Sequence, residues 1–158
     1  MPIPTRISDY LDSQHVSYQS CRHSPAYTAQ GIAQAQHLSG RKLAKVVMVM
    51  ADSNKLVMAV VPANYRVDLN KLGHLLNTDW IRLATEEEFR DVFPECELGA
   101  MPPLGNLYNL EVWIDESLQF HPSISFNAGT HAETIQMSFP DFERLVQPKK
   151  GSFGALLH

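Results

Sequence analysis

Two apolar runs, "LAKVVMVMA" at 43–51 and "KLVMAVVPA" at 55–63, stand three residues apart around "DSN". This pair restricts the fold more than any other stretch. Each run is too short for a membrane span, rich in β-branched residues, and bounded by turn formers, so the two read as a β-hairpin. Strand side chains alternate between faces, so Lys45 shares a face with Leu43, Val47 and Val49. An ammonium among valines loses hydration, which is costly without a partner. The hairpin therefore sets the sheet and poses the chemical question together.

The rest of the 158-residue chain supports one soluble domain covering 1–158, with a core at about 21–146 and a tail at 147–158. Its composition, 44% hydrophobic and 19% charged, is that of an ordinary globular protein, not a disordered one. The N-terminal "MPIPTRISDYLDSQ" lacks a basic-then-apolar signal layout, and two cysteines in such a chain read as reduced thiols. A cytoplasmic location is expected, with no membrane and no DNA partner. A net charge of −4 argues against gripping a long phosphate backbone by bulk charge. It leaves room for one or two phosphates at a nucleic-acid end, with Arg41, Lys42 and Lys45 as the local cations.

A first helix is expected from Thr5, with Ile7, Tyr10 and Leu11 on one face, then an edge strand in "VSYQSCRH". Thr28 reads as the cap of a helix over "AQGIAQAQHL". Asp68 caps "LNKLGHLL", and Thr85 with Glu88 forms a capping box, so the three glutamates of "TEEEF" suit a helix first turn and not a metal site. "EVWID", "SISFNAG" and "ETIQMS" read as strands, and Ser138 caps "PDFERLV" with Pro140 in its first turn. "QPKKGSFGALLH" shows no strong period. Strands and helices interleave, but hairpins outnumber βαβ units. The expected fold is mixed α/β (α+β), with a curved, mixed sheet flanked by helices.

The common catalytic signatures are absent: no Walker loop, no G-x-S-x-G, no H-E-x-x-H. The histidines and cysteines lack metal-ligand spacing, so no metal and no cofactor are expected. Cys21 near His23 suggests a thiol nucleophile, but no third group orients the pair, and a small inert thiol is the plainer reading. Three features remain. Lys45 is one, read plainly as a snorkelling lysine. "GAMPPLGN" is another, read plainly as a surface loop in which Gly99 and Gly105 permit positive φ or close approach. The third is "FNAGTH", whose Asn127, Gly129 and His131 suit a turn between strands.

Taken in order, "HSPAYTAQGIAQAQ", "LAKVVMVM", "VVPANYRVDLNKL", "GAMPPLG", "FNAGTH" and "DFERL" resemble the YbaK/prolyl-tRNA synthetase-associated domain family. The family's strand lysine falls on Lys45 and its G-x-x-x-P element on Gly99 and Pro103. The resemblance implies a barrel-like sheet and hydrolysis of the ester joining a wrong amino acid to the terminal ribose of a tRNA. It implies a free-standing deacylase acting in trans, with aminoacyl-tRNA, and at times a synthetase, as partner. Such a second sieve is needed because one methylene is worth only ~1–3 kcal/mol to a synthetase pocket.

By the same resemblance Lys45 holds the 3′-terminal adenosine, through its phosphate or by orienting the ester. Backbone N–H groups at Gly99, Ala100 and Met101 face the scissile carbonyl or the α-amino group. Pro103 fixes the loop, Gly129 permits close substrate approach, and Asn127 and His131 line the pocket. The chain departs from many relatives at Val46, where they carry threonine, and at Pro102, where they carry a small polar residue. Alanyl-, cysteinyl-, seryl- and threonyl-tRNA all stay open as substrates. Two alternatives stand beside this: a non-hydrolytic module binding a tRNA end or nucleotide, and a thiol hydrolase using Cys21.

Overall fold

The computed structural model describes residues 3–22 and 43–157. The expected helix at Thr28, together with His23, Arg41 and Lys42, lies outside them. The hairpin forms as read: β2 (Leu43–Ala51) runs antiparallel to β3 (Lys55–Pro62), from Ala44 opposite Pro62 to Ala51 opposite Lys55. Asp52 takes a left-handed conformation in the connecting turn, which a small polar residue tolerates. Val57 to Val61 are fully buried. At ~1.5–3 kcal/mol for each large apolar side chain withdrawn from water, this strand anchors the core.

Six further strands join the hairpin in one mixed sheet. They are β1 (Tyr18–Arg22), β5 (Ile81–Leu83), β6 (Glu111–Asp115), β7 (Ser123–Asn127), β8 (Glu133–Ser138) and β9 (Lys149–Gly151). Among the described residues their order is β1-β8-β7-β2-β3-β6-β9, with β5 also on β2. β7 pairs parallel to β2, β6 parallel to β3 and β9 parallel to β6, while β1, β8 and β5 pair antiparallel. The mixed α/β expectation holds.

Alternation divides the sheet into two faces. One face carries Met48, Met58, Val60, Val112, Ile114, Phe126 and Ile135, and packs on α1 (Thr5–Ser13) through Ile7 and Leu11. It also receives Phe139 and Phe142 of α4 (Phe139–Val146), a helix capped by Ser138, whose hydroxyl accepts from Asp141 N. The other face carries Val49, Val57, Ala59, Val61 and Trp113. Leu72 of α2 (Leu69–Leu76) and Phe153 cover it. Asp68 caps α2 by accepting from Lys71 N, and Thr85 and Glu88 form the capping box of α3 (Glu86–Phe89). Glu88 also takes a bidentate bond from Arg82, and this pairing holds its carboxyl down at about 2. No helix among the described residues is long and apolar enough to cross a membrane.

The segment after Val146 differs from expectation. It supplies β9 and then β10 (Gly154–Leu156), which pairs with β4 (Tyr65–Val67) in a second small sheet. Phe153 between them is fully buried. Strands of three residues are too short to show a period, and one phenylalanine among glycine and serine gives no pattern. What holds this segment is Asp115, itself buried, which accepts from Phe153 N at 3.0 Å, Gly154 N at 2.7 Å and Ser117 N at 3.2 Å. Asp115→Ala leaves those donors unpartnered and is expected to lower unfolding free energy by ~2–4 kcal/mol, read from urea denaturation. An unchanged midpoint would show that the C-terminal strands are held by other means.

Candidate editing site at the open edge of the central strand

β2 is paired along its whole length on the β3 side but not on the other. There β7 covers Leu43 and Ala44, β5 covers Val49 to Ala51, and no described strand covers the residues between. The burial of β2 follows this gap: Lys45, Val46 and Val47 are half-buried while the rest of the strand is buried. The carbonyl of Leu43 accepts from Ala63 on the β3 side and that of Met48 accepts from Ala84 on the other. By the two-residue period, the N–H and C=O of Val46 therefore face the gap.

Lys45 sits at the start of this opening. Its register neighbour across the sheet is Asn127, one step beyond the last β2–β7 pair, Ala44 with Phe126. Asn127 and Thr134 are directly opposite in β7 and β8, so Lys45, Ser125, Asn127 and Thr134 share one face. The two halves of that face differ. It is apolar over β3 and β6, where Phe153 and Leu72 pack, and polar over β7 and β8. Burial lowers the Lys45 pKa, and no carboxylate among the described residues pairs with it. Among the described residues the buried Asn127 side-chain oxygen has no hydrogen-bond partner. A buried amide oxygen left so calls for a donor.

The loop at 97–105 and the turn at 127–131 are bonded to each other. Glu97 N donates to Gly129 O at 2.8 Å, Gly129 N to Ala100 O at 2.9 Å, and His131 N to the Glu97 carboxylate at 2.7 Å. The same carboxylate lies 3.7 Å from His131 Nδ1. Gly99 has φ +85°, and a methyl there would stand 3.4 Å from His131 Nε2. The residues from Ala100 to Gly105, Pro102 and Pro103 included, are buried, so the loop is not the plain surface connection its sequence allows.

Three details differ from the roles that the resemblance implied. The Ala100 N–H already donates to Glu97 O at 3.0 Å, so it is not a free donor. The Gly99 N–H is aimed at Met101 Sδ, 3.2 Å away, a weak acceptor that a carbonyl oxygen outcompetes. Gly129, with φ +90°, is required by Pro4, because a methyl there would meet Pro4 Cγ at 2.7 Å; this is an intramolecular approach, not a substrate one.

The thiols stand apart from this chemistry. Cys21 is exposed on β1, opposite Thr134, and its expected partner His23 is outside the described residues. Burial pushes the Cys96 thiol up to about 11, so it stays protonated near neutrality.

This fold and site define a class: an α+β fold on a mixed sheet, with a lysine at an interrupted strand edge and a glycine–proline loop bonded to the turn after the neighbouring strand. A family model described as an aminoacyl-tRNA editing domain matches residues 23–145. The chain belongs to that family. It is also similar to the prolyl-tRNA editing protein ProX of Acetoanaerobium sticklandii, at 20% identity over 151 residues and 92% of each chain. Among solved structures it matches hypothetical protein APE2540 with a TM-score of 0.85 at 15% identity, covering 95% of this chain and 99% of the other. A second structure, described provisionally as a trans-editing enzyme for prolyl-tRNA synthetase, matches with a TM-score of 0.81 at 22% identity, covering 98% of each. At such identities the solved structures establish the fold.

Sequence reading missed Glu97. An exposed glutamate in a Gly/Pro loop carries no signal, and its bond to His131 N joins residues 34 apart. Glu97→Gln keeps an oxygen for that N–H, whereas Glu97→Ala does not. In deacylation assays Glu97→Ala is expected to lower kcat/KM ~10–100-fold, the worth of a charge-assisted bond, and Glu97→Gln clearly less. Equal losses in the two variants would remove the clamp from the account.

Proposed function

We propose that this chain is a trans-editing hydrolase that cleaves the ester of tRNA mischarged with a small amino acid, in the proline system that its curated relative's name indicates. The observation that carries the reading is that Lys45 and Asn127 lie on one face where β7 leaves β2. It offers a cation and, among the described residues, an unpartnered amide oxygen and an unpaired stretch of strand edge.

The ester needs no protein nucleophile. Water attacks the carbonyl carbon, the tetrahedral oxyanion collapses, the bond to the ribose oxygen breaks, and the ribose hydroxyl regains a proton. What the protein supplies is position and charge. The Lys45 ammonium holds the terminal adenosine by its phosphate or orients the ester, more strongly than in water because it is half-desolvated. Asn127 Oδ1 accepts from the substrate's α-ammonium. The N–H groups of Gly99, Met101 and Val46 are the donors for the oxyanion. Pro103 keeps the loop rigid, and Glu97 holds His131 against Gly99 at the rim.

Incubation of the protein with tRNA charged with alanine, cysteine, serine or threonine is expected to release at least one of them. Lys45→Ala is expected to lower that rate ~10²–10³-fold, as loss of one electrostatic stabiliser does elsewhere. A folded protein that leaves the whole panel intact would refute the hydrolase reading, and saturable tRNA binding without turnover would then favour the binding module.

Lys45 also yields a stability test. Its folded pKa lies below its unfolded value, so below the folded pKa the charged lysine costs stability in full. That cost fades as pH rises towards the unfolded pKa. Lys45→Met is therefore expected to raise Tm at neutral pH while abolishing deacylation, a separation that a purely structural lysine would not show.

A further inference from the structure

The head of β2 borders a second feature that the ester chemistry does not use. Pro62, opposite Ala44, forms with Tyr65, Ser117, Phe120 and His121 the walls of a hollow of about 270 Å³. Phe120 ends the short 3-10 helix Glu116–Phe120 and is 76% exposed, the most exposed large apolar side chain among the described residues. Nothing in the core requires it there. Neighbouring Asn64, in the turn between Pro62 and Tyr65, has a side-chain oxygen without a hydrogen-bond partner among the described residues.

Pro62 stands at the open end of the hairpin and by alternation takes the other face, whereas Val61, directly opposite Lys45, shares the Lys45 face. Ser117 donates to Asp115, whose carboxylate also holds Gly154, and Tyr65 packs beside that glycine on the same face. The turn carrying His131 follows the end of β7, and the loop carrying Gly99 is bonded to it. An ester held at Lys45 with its amino acid towards that loop leaves the open end of the hairpin to the polynucleotide.

We propose that this hollow is a stacking subsite for the nucleotides immediately upstream of the terminal adenosine, with Phe120 as the platform for one base. The proposal rests on the editing reading and extends it from one nucleoside to a single-stranded RNA end. A protruding aromatic ring accepts any base face, and Tyr65, Ser117 and His121 supply hydroxyl and imidazole groups for base or ribose edges. Such a subsite gives affinity for tRNA without a basic surface, as a chain of net charge −4 requires. It also does not depend on which amino acid is attached.

The test uses uncharged ligands, so it stands apart from hydrolysis. Affinities for the trinucleotide CpCpA and for adenosine monophosphate are measured on the wild-type protein and on Phe120→Ala and Phe120→Tyr. Stacking of one base predicts that wild type prefers CpCpA by ~5–100-fold, that Phe120→Ala removes most of this preference, and that Phe120→Tyr keeps it. Unchanged preference in Phe120→Ala, or equal weakening of both ligands, would overturn the subsite. Failure of the wild type to deacylate any aminoacyl-tRNA, with the preference intact, would overturn the hydrolase reading and leave the subsite standing.

Discussion

The interruption in the outer edge of β2 is the constraint on which the rest depends. A central strand normally has both rows of backbone groups satisfied by neighbours, because a buried unpaired N–H or C=O costs more than a hydrogen bond returns. Here β7 leaves after Ala44 and β5 arrives only at Val49. The protein tolerates the gap because the hairpin with β3 is complete and deeply buried, so the strand does not need both edges to stay in place. The hairpin holds the strand in place, and among the described residues the gap leaves a piece of that backbone without a strand partner.

Polar groups collect around that gap for a physical reason. The face carrying Lys45 is apolar where the C-terminal strands and α2 cover it, and there valines and Trp113 point outward. Beyond β2, on β7 and β8, the same face carries Ser125, Asn127 and Thr134, all buried. A purely structural sheet would place valine or isoleucine at such sites. Hydrophobic replacement of buried polar groups is often neutral or stabilising, so a buried amide oxygen without a partner is a cost that folding alone does not explain. A ligand that donates hydrogen bonds to it would recover that cost. The same logic applies to Lys45, whose charge is partly desolvated with no carboxylate among the described residues to compensate.

Much of the framework was legible because it depends on local rules. The hairpin follows from two β-branched runs around a turn, and the caps at Asp68, Thr85 and Ser138 follow from side-chain geometry within one helical turn. What was not legible depends on contacts distant in sequence. Gly129 looks like a residue kept small for a substrate, yet Pro4, 125 positions away, occupies the space. Ala100 looks like a free backbone donor until Glu97 is seen to fold back on it. The last two strands were missed because each is three residues long and is held by Asp115, whose carboxylate bonds have no signature in either segment.

The family resemblance singled out Lys45, and register explains why the lysine stands where it does. Were Lys45 one residue later, alternation would turn it towards Met48 and Met58 in the larger core cluster, with no polar neighbour. One residue earlier, the parallel ladder with β7 would hold its backbone. Its present position is the first on β2 after the ladder ends, on the face shared with Asn127. The conflict between this side chain and its apolar run is therefore local and confined to the rim of the gap. A lysine there keeps partial contact with solvent, and it is constrained because it stems from a strand that is buried on either side of it.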